Sequence, residues 1–572
     1  MFARQTPPAL RDLLAPNVVA AETALAGLNL TDPDDNHWRN NIFRLFPTRF
    51  AHRLAREYEE LFVFEGERAA NLYLLEHWER SRKSAIPIQA TDIELEQLAK
   101  KQANEMRQIA WLIPDDTQAL IRTWKLAETF GIAPPSYEDP NMTVKGALRR
   151  LYDEHWWLRQ IRKAHARQLE TEAIRIGMVH KRTGAYVSDE TLCRHQEQKK
   201  RNRRILSRMI AINENDQAFT LEEMAEKGMS NPKNRRNELM ARVSGFETIA
   251  DDLGHVAEFY TLTCPSRMHA RLSKSGQVNP KHDDTTPRQA QAYLSLVWSR
   301  IRAKIKRNDI EIYGFRVAEP HQDGTPHWHL LLFTAPENIE TLRKIFLHYA
   351  LQEDGDEAGA KDRRFTWLAI DKAKGSAIGY IAKYISKNID AYGIDEDESG
   401  RDAKSSAERV TAWASTWGIR QFQQFGGVPV SLWRELRRAG GDVPEGVLRE
   451  AFEAADSGNW AQFLMVLGGA TPKRNALPVK LAKVESDETG KYGDPVGKRI
   501  IGVEADSFIL PTRIHQWKIL TIREVTNRLP ETVLSDISGE AQSARTERRA
   551  APHRPDAFAA KPPWSSVNNC TG

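Results

Sequence analysis

Ile310-Glu311-Ile312-Tyr313-Gly314-Phe315-Arg316-Val317-Ala318-Glu319-Pro320-His321-Gln322-Asp323-Gly324-Thr325-Pro326-His327-Trp328-His329-Leu330-Leu331-Leu332-Phe333 is the stretch that decides how this chain folds. Ile310 to Val317 and His327 to Phe333 read as strands, rich in β-branched, aromatic and aliphatic residues, joined by a connection that contains Asp323-Gly324. That is the pattern of an antiparallel hairpin. Side chains alternate faces along a strand. If Glu319 pairs with His327, then Val317 faces His329, Phe315 faces Leu331, and all six share one face. A slip of one residue would send Glu319 to the other face.

Outward from the hairpin, Glu258 to Thr263 is aromatic and β-branched and is stopped by Cys264-Pro265, which makes it a strand. Thr286 offers an N-cap with Pro287 at the first helical position, and Ala290 to Lys306 carries the apolar stripe Tyr293, Val297 and Ile301 of a helix. Pro336-Glu337 opens another helix to about Leu351, an acidic loop covers 352–357, Phe365 to Ile370 is a strand, and Ser376 to Asn388 is a helix. The order strand, helix, strand, strand, helix, strand is that of the split β-α-β, ferredoxin-like arrangement. The expected class is α+β: a central ferredoxin-like antiparallel sheet with helices on one face and the other face free to hold a site.

The flanks read differently. From about 15 to 245 the apolar spacing is helical, as in Leu54, Tyr58, Leu61 and Phe62, or Trp157, Leu158 and Ile161. Two basic runs lie there, Lys199-Lys200-Arg201-Asn202-Arg203-Arg204 and Lys233-Asn234-Arg235-Arg236; each is either a solvated helix face or a phosphate-binding surface. Beyond a loop at 395–400, residues 405–470 return to a helical pattern around Trp413, Trp417, Trp433 and Leu436, and 499–503 is β-like. From about 535 the chain is rich in Ser, Ala, Arg and Pro, which predicts a disordered tail. The expected divisions are 1–250, a mainly helical region; 251–392, the core; 393–470, its helical extension; 471–534, a small mixed or β region; and 535–572, the tail.

At 572 residues the chain has room for several such units, and its net charge of +5 argues against a uniformly basic coat. Cys193, Cys264 and Cys570 are too few and scattered for a disulfide framework or a cysteine-based zinc site. No run of eighteen apolar residues occurs, so a soluble, unsecreted protein of a reducing cytoplasm is expected, without a membrane.

Chemistry concentrates in two motifs. His327 and His329 point the same way about 7 Å apart along the strand and can share one ion. Glu319 is the third ligand by register, and His321 is the reserve. Such a set suits Mg²⁺ or Mn²⁺, although histidine also suits Zn²⁺. The second motif is Tyr380-Ile381-Ala382-Lys383-Tyr384-Ile385-Ser386-Lys387-Asn388. On a helix Tyr380 and Tyr384 stand one turn apart on one face with Lys383 and Lys387, while Ile378, Ile381, Ile385 and Ile389 form the opposite, apolar face. Isolated His-X-His triplets and tyrosine pairs at helical spacing are usually structural. Together they are not. A tyrosine hydroxyl, weakly acidic with a pKa of about 10, becomes a useful nucleophile beside a metal that polarises a phosphodiester, and the ester it forms keeps the bond energy for rejoining. Lys383 and Lys387 would contact DNA phosphates.

These residues resemble the HUH endonuclease superfamily. More closely, Phe259 to Arg267, Glu319 to His329 and Tyr380 to Asn388 look like the three motifs of bacteriophage replication gene A proteins, with Ser230 to Arg236 and Gln421 to Gly427 also similar; the resemblance covers about 220 to 440. It implies a rolling-circle replication initiator that nicks one strand at an origin, stays bound through a 5′-phosphotyrosine, leaves a 3′-hydroxyl for the host polymerase, and later cuts and rejoins the displaced strand. Carried over by position, Tyr380 and Tyr384 are the nucleophiles and His327 and His329 the metal ligands. No Gly-X-X-X-X-Gly-Lys-Ser/Thr sequence occurs, so the partners expected are origin DNA and a host helicase with its replication machinery, in the bacterial cytoplasm. The alternatives are a plasmid relaxase, a rolling-circle transposase, or a non-catalytic origin-binding protein.

Overall fold

The computed structural model describes residues 15–526 apart from 31, 137, 138, 140, 374, 394, 397–401, 441 and 442. The tail expected from 535 lies outside the described residues. The chain is mixed α/β, and its sheets are antiparallel. The central sheet has strands β1 (Val256–Thr263), β2 (Tyr313–Pro320), β3 (Pro326–Thr334), β4 (Phe365–Ala369) and β5 (Phe422–Phe425). Their spatial order is β4-β1-β3-β2-β5. Every neighbouring pair is antiparallel.

The hairpin has the register that alternation requires: Glu319 opposes His327, Val317 opposes His329, and Phe315 opposes Leu331. Its turn is closed by the His321 N–H on the Thr325 carbonyl (2.7 Å) and the Gly324 N–H on the His321 carbonyl (2.9 Å). Gly324 sits at φ +86°, a conformation that suits a residue without a Cβ.

Five helices frame this sheet: α1 (Pro232–Asp252), α2 (Pro287–Arg307), α3 (Ile339–Ala350), α4 (Ala377–Ile389) and α5 (Ala403–Trp417). Helix α2 starts at a capping box in which Thr286 and Gln289 satisfy each other's backbone donors, with Pro287 at the first position. Its Leu294, Val297, Trp298 and Ile301, with Leu342 and Phe346 of α3, share one core cluster with Tyr260, Leu262, Ala318, Trp328, Leu330 and Leu332 of the sheet. The other face carries Phe259, Phe315, Val317, Leu331 and Phe333, clustered with Leu239, Val243, Phe246 and Ile249 of α1 and Ile381 and Ile385 of α4.

Helices therefore cover both faces, which corrects the expectation of one open face. The reason is α1. The sequence places it at the end of the N-terminal helical region, yet its apolar stripe belongs to the sheet. A second correction concerns β5, expected within a helical extension: Phe422 to Phe425 pairs with Val317 to Gly314 and extends the sheet beyond β2. The helices α5, Val430–Leu436, Val447–Asp456 and Trp460–Val466 account for much of the rest of that segment.

The N-terminal region is helical through Asp189–Leu206, then contains two short strands that the helical reading did not anticipate, Met209–Ile212 and Ala218–Thr220. Met209–Ile212 also pairs with Lys518–Thr521 near the other end of the described chain. The β character expected near 499–503 is present as Pro495–Ala505, the middle strand of a sheet with Val479–Thr489 and Phe508–Pro511. No described helix is long and apolar enough to cross a membrane.

Candidate active site

Alternation along β2 and β3 changes the character of one sheet face along its length. Phe333, Leu331, Phe315 and Val317 are buried under α1 and α4, and toward the turn the same rows continue as His329, His327 and Glu319. There the three side chains converge. The two imidazole Nε2 atoms are 2.8 Å apart, His329 Nε2 is 3.7 Å from Glu319 Oε2, and one donor atom from each residue lies within 4.8 Å of the others. Glu319 and His329 are buried and His327 is half-buried.

Burial holds both imidazoles well below the ordinary histidine range, reinforced for His327 by His321, His329 and Lys387 and for His329 by Lys387 and His321. They are neutral, the form in which imidazole binds a metal. Nδ1 of His329 lies 3.0 Å from the Thr261 hydroxyl. Nδ1 of His327 is buried with no hydrogen-bond partner among the described residues. Two converging Nε2 atoms and a carboxylate oxygen form a donor set that fits a divalent cation.

Helix α4 begins where the Ser376 hydroxyl accepts from the Gly379 N–H (3.1 Å), and Ile381 and Ile385 bury its apolar face. Tyr384 lies on the opposite side with its ring centroid 4.3 Å from that of His329 and 5.0 Å from that of Phe259. Tyr380, one turn earlier, is half-buried. The two lysines separate. Lys383 is exposed, whereas Lys387 turns inward and sets its Nζ 3.5 Å from Glu319 Oε2 and 6.0 Å from the centre of the Tyr186 ring.

His321 does not join the converging set. Its ring lies against His327, centroids 4.0 Å apart, and burial, then the charge of His269, pushes its pKa down to about 3.

Two residues beside the site carry no role that the sequence reveals. Asn388 is buried and its Nδ2 donates to Glu319 Oε1 and, at 2.6 Å, to the Tyr384 carbonyl. Its Oδ1 accepts from Gln421 Nε2 at 3.4 Å. Helical spacing held the signal, since Asn388 follows Tyr384 by one turn. Tyr186 is the other. Its N–H donates to the Gln322 carbonyl (3.2 Å) while its φ is +74°, unusual for a bulky residue. Nothing in the local sequence foretells that a residue so far upstream reaches the hairpin turn.

A His-X-His and carboxylate set, buried but for a half-exposed His327, at the end of an antiparallel sheet and faced by a helix with two tyrosines, defines a mixed α/β protein with a candidate divalent-metal centre beside a phenol. The family model for the bacteriophage replication gene A protein (GPA) matches residues 93–392, and the chain belongs to that family. It is 40% identical over 463 residues to the replication gene A protein of Escherichia phage 186, covering 77% of this chain and 63% of that protein. It is 38% identical over 438 residues to the replication protein of Haemophilus phage HP1, covering 75% and 54%. It is 33% identical over 482 residues to a probable replication endonuclease from a prophage-like region of Salmonella paratyphi A, covering 79% and 57%. The chain thus spans less than two thirds of the length of these curated relatives. No solved structure matches it significantly.

Proposed function

We propose that this protein is a phage-type replication initiator: a metal-dependent endonuclease that nicks one strand of origin DNA through tyrosine and later rejoins it, as in rolling-circle replication. The single observation that carries the reading is the convergence of Glu319, His327 and His329 within 4.8 Å, with the Tyr384 ring beside His329. The antiparallel strand order β4-β1-β3-β2, with β5 added beside β2, supports the reading of a ferredoxin-like sheet. The family membership and the relatives' names, replication protein and replication endonuclease, support the same reading.

In this reading Glu319, His327 and His329 hold Mg²⁺ or Mn²⁺, which supplies charge stabilisation to the scissile phosphate. The Oη of one tyrosine forms a bond to phosphorus as the P–O3′ bond breaks. The electron pair leaves with O3′, which is protonated to the 3′-hydroxyl primer, and the phenolic proton passes to solvent. The 5′-phosphate stays on the enzyme as a phosphotyrosine ester, so attack by a 3′-hydroxyl restores the phosphodiester without an external energy source. Two tyrosines one turn apart allow one to hold the first 5′ end while the other cuts again. Lys387, already beside Glu319, adds positive charge at the site, and Lys383 is exposed for a phosphate of the bound strand. Origin DNA is the substrate; unwinding falls to a host helicase, in the cytoplasm of the bacterial host.

The test is to incubate the protein with supercoiled DNA of its own phage or prophage and Mg²⁺, denature, and look for protein covalently attached to a 5′ end. Tyr380→Phe and Tyr384→Phe should each retain partial nicking and lose strand circularisation, and the double variant should give no adduct. Adducts from the double variant would rule out α4 as the source of the nucleophile. Binding without nick or adduct by the unaltered protein would leave the non-catalytic origin-binding reading.

A further inference from the structure

We propose that the C-terminal half of the helix Asp189–Leu206 is a docking surface for the sugar-phosphate backbone of duplex DNA flanking the candidate active site; the proposal rests on the reading that this site acts on DNA. The helix begins at the site. Tyr186, which bonds the hairpin turn and lies near Lys387, is two residues before Ser188, the N-cap, whose hydroxyl donates to the buried Glu170 (2.6 Å). The first turns are packed: Thr191 is buried, Asp189 pairs with Arg409 of α5, and Gln196 bonds Glu408 (2.8 Å). The rest is not. From Glu197 to Ile205 every residue is exposed, so this stretch presents side chains on all sides.

Within it stand Lys199, Lys200, Arg201, Arg203 and Arg204. Three carboxylates answer them: Glu197 at 2.9 Å from Lys200, Asp92 at 3.6 Å from Arg201, and Glu222 at 2.6 Å from Arg203. Lys199 and Arg204 have no such partner among the described residues. Lys199 and Arg203, and Lys200 and Arg204, are like charges one turn apart, which oppose helix formation in water. A helix kept soluble only by its surface would intersperse both signs. Here the excess of one sign is relieved by a polyanion that releases its counterions on binding.

Composition selects the polyanion. No aromatic side chain occurs between Glu197 and Ile205, whereas surfaces for single strands stack bases on aromatics. No apolar face runs along the stretch, as insertion into a lipid surface requires. The cluster lies about 16–24 Å along the helix axis from Ser188, the rise of roughly 5–7 base pairs. That spacing suits duplex lying beside the site while the strand to be cut is held in it.

The test uses the full chain, a 30-base-pair duplex of arbitrary sequence and a 30-nucleotide single strand, without metal, titrated by fluorescence anisotropy between 50 and 200 mM KCl. Combined Lys199→Glu, Lys200→Glu, Arg203→Glu and Arg204→Glu should weaken duplex binding at least about tenfold and lower the salt slope by roughly 3–4, one contact per cation. Single-strand binding should change less than about twofold, because the surface carries no stacking platform. Lys199→Gln with Arg204→Gln, both exposed and without an ion-pair partner among the described residues, should lower the slope by roughly 2 and serves if the reversed charges impair folding. An unchanged duplex slope, or equal losses on duplex and single strand, would overturn the proposal. Failure of the nuclease reading is a separate result: no adduct from the unaltered protein, with duplex binding intact.

Discussion

The two faces of the central sheet are made by the same strands and do different work. One holds its buried charges within the packing, Arg316 3.7 Å over the Trp328 ring and Glu258 paired with Arg343 of α3, and presents Tyr260, Leu262, Ala318, Trp328, Leu330 and Leu332 to α2 and α3. The other starts in the same way with Phe333, Leu331, Phe315 and Val317, then ends in His329, His327 and Glu319. Trp328, fully buried, stands in the chain between the two histidines. Stability and chemistry are thus one residue apart, separated only by the alternation of the strand. The difference teaches that one register fixes both: a shift of one residue would put Trp328 in the site and the imidazoles in the core.

The largest effects should come from breaking each face separately. Trp328→Ala should cost about 3–5 kcal/mol of stability through the cavity it leaves, read as a fall in the urea midpoint, and activity should fall only as the folded fraction falls. His327→Ala with His329→Ala should do the reverse, lowering metal-dependent nicking by about 100-fold or more with the midpoint nearly unchanged. Equal loss of stability in both variants would erase the distinction between the faces.

An acid titration sharpens the comparison next. The site imidazoles are held neutral by burial, and on the N-terminal helices burial pushes His165 down to about 4. Below pH about 6.5 the unfolded chain takes up protons at these positions while the folded chain does not. Their contribution is present above 6.5 and is lost as pH falls toward the folded values, on the order of 2 kcal/mol for a group such as His165 between pH 6.5 and 4.5. Urea midpoints should drop over that window, and less steeply in the His327→Ala, His329→Ala variant. A midpoint that rises on acidification would contradict neutral, buried imidazoles.

Much of this was legible because the periods are short-range. The hairpin pattern placed Glu319 against His327, and a 3.6-residue period put Ile381 and Ile385 on the buried side of α4, away from Tyr380 and Tyr384. What escaped was set by distant partners. Phe422-Gln423-Gln424-Phe425 has little strand signature of its own; it becomes β5 because the β2 edge offers it hydrogen-bond partners. Met209–Ile212 is likewise completed by Lys518–Thr521. Lys387 looked like a surface cation by helical angle alone, but the Glu319 carboxylate draws it inward. Helix α1 has an apolar stripe visible in the sequence, yet nothing local says which surface it covers.

The smallest expected effect tests how finely the polar end is built. Thr261 of β1 is the register partner of His329, and its hydroxyl lies 3.0 Å from Nδ1. If Nε2 is to offer a lone pair to a cation, the proton of the neutral ring must sit on Nδ1, which then donates to the Thr261 oxygen. Thr261→Val keeps the shape and removes that acceptor. The ring is then free to place its proton on Nε2, against His327 and Glu319. Mn²⁺ affinity measured by calorimetry should fall about tenfold, the low end of the range for such supporting contacts, with the urea midpoint little changed. The Thr261→Ser variant should bind as the unaltered protein does. An unchanged affinity in Thr261→Val would mean that packing against Phe259 and Tyr384 alone orients His329, and that the face needs only its register to make the site.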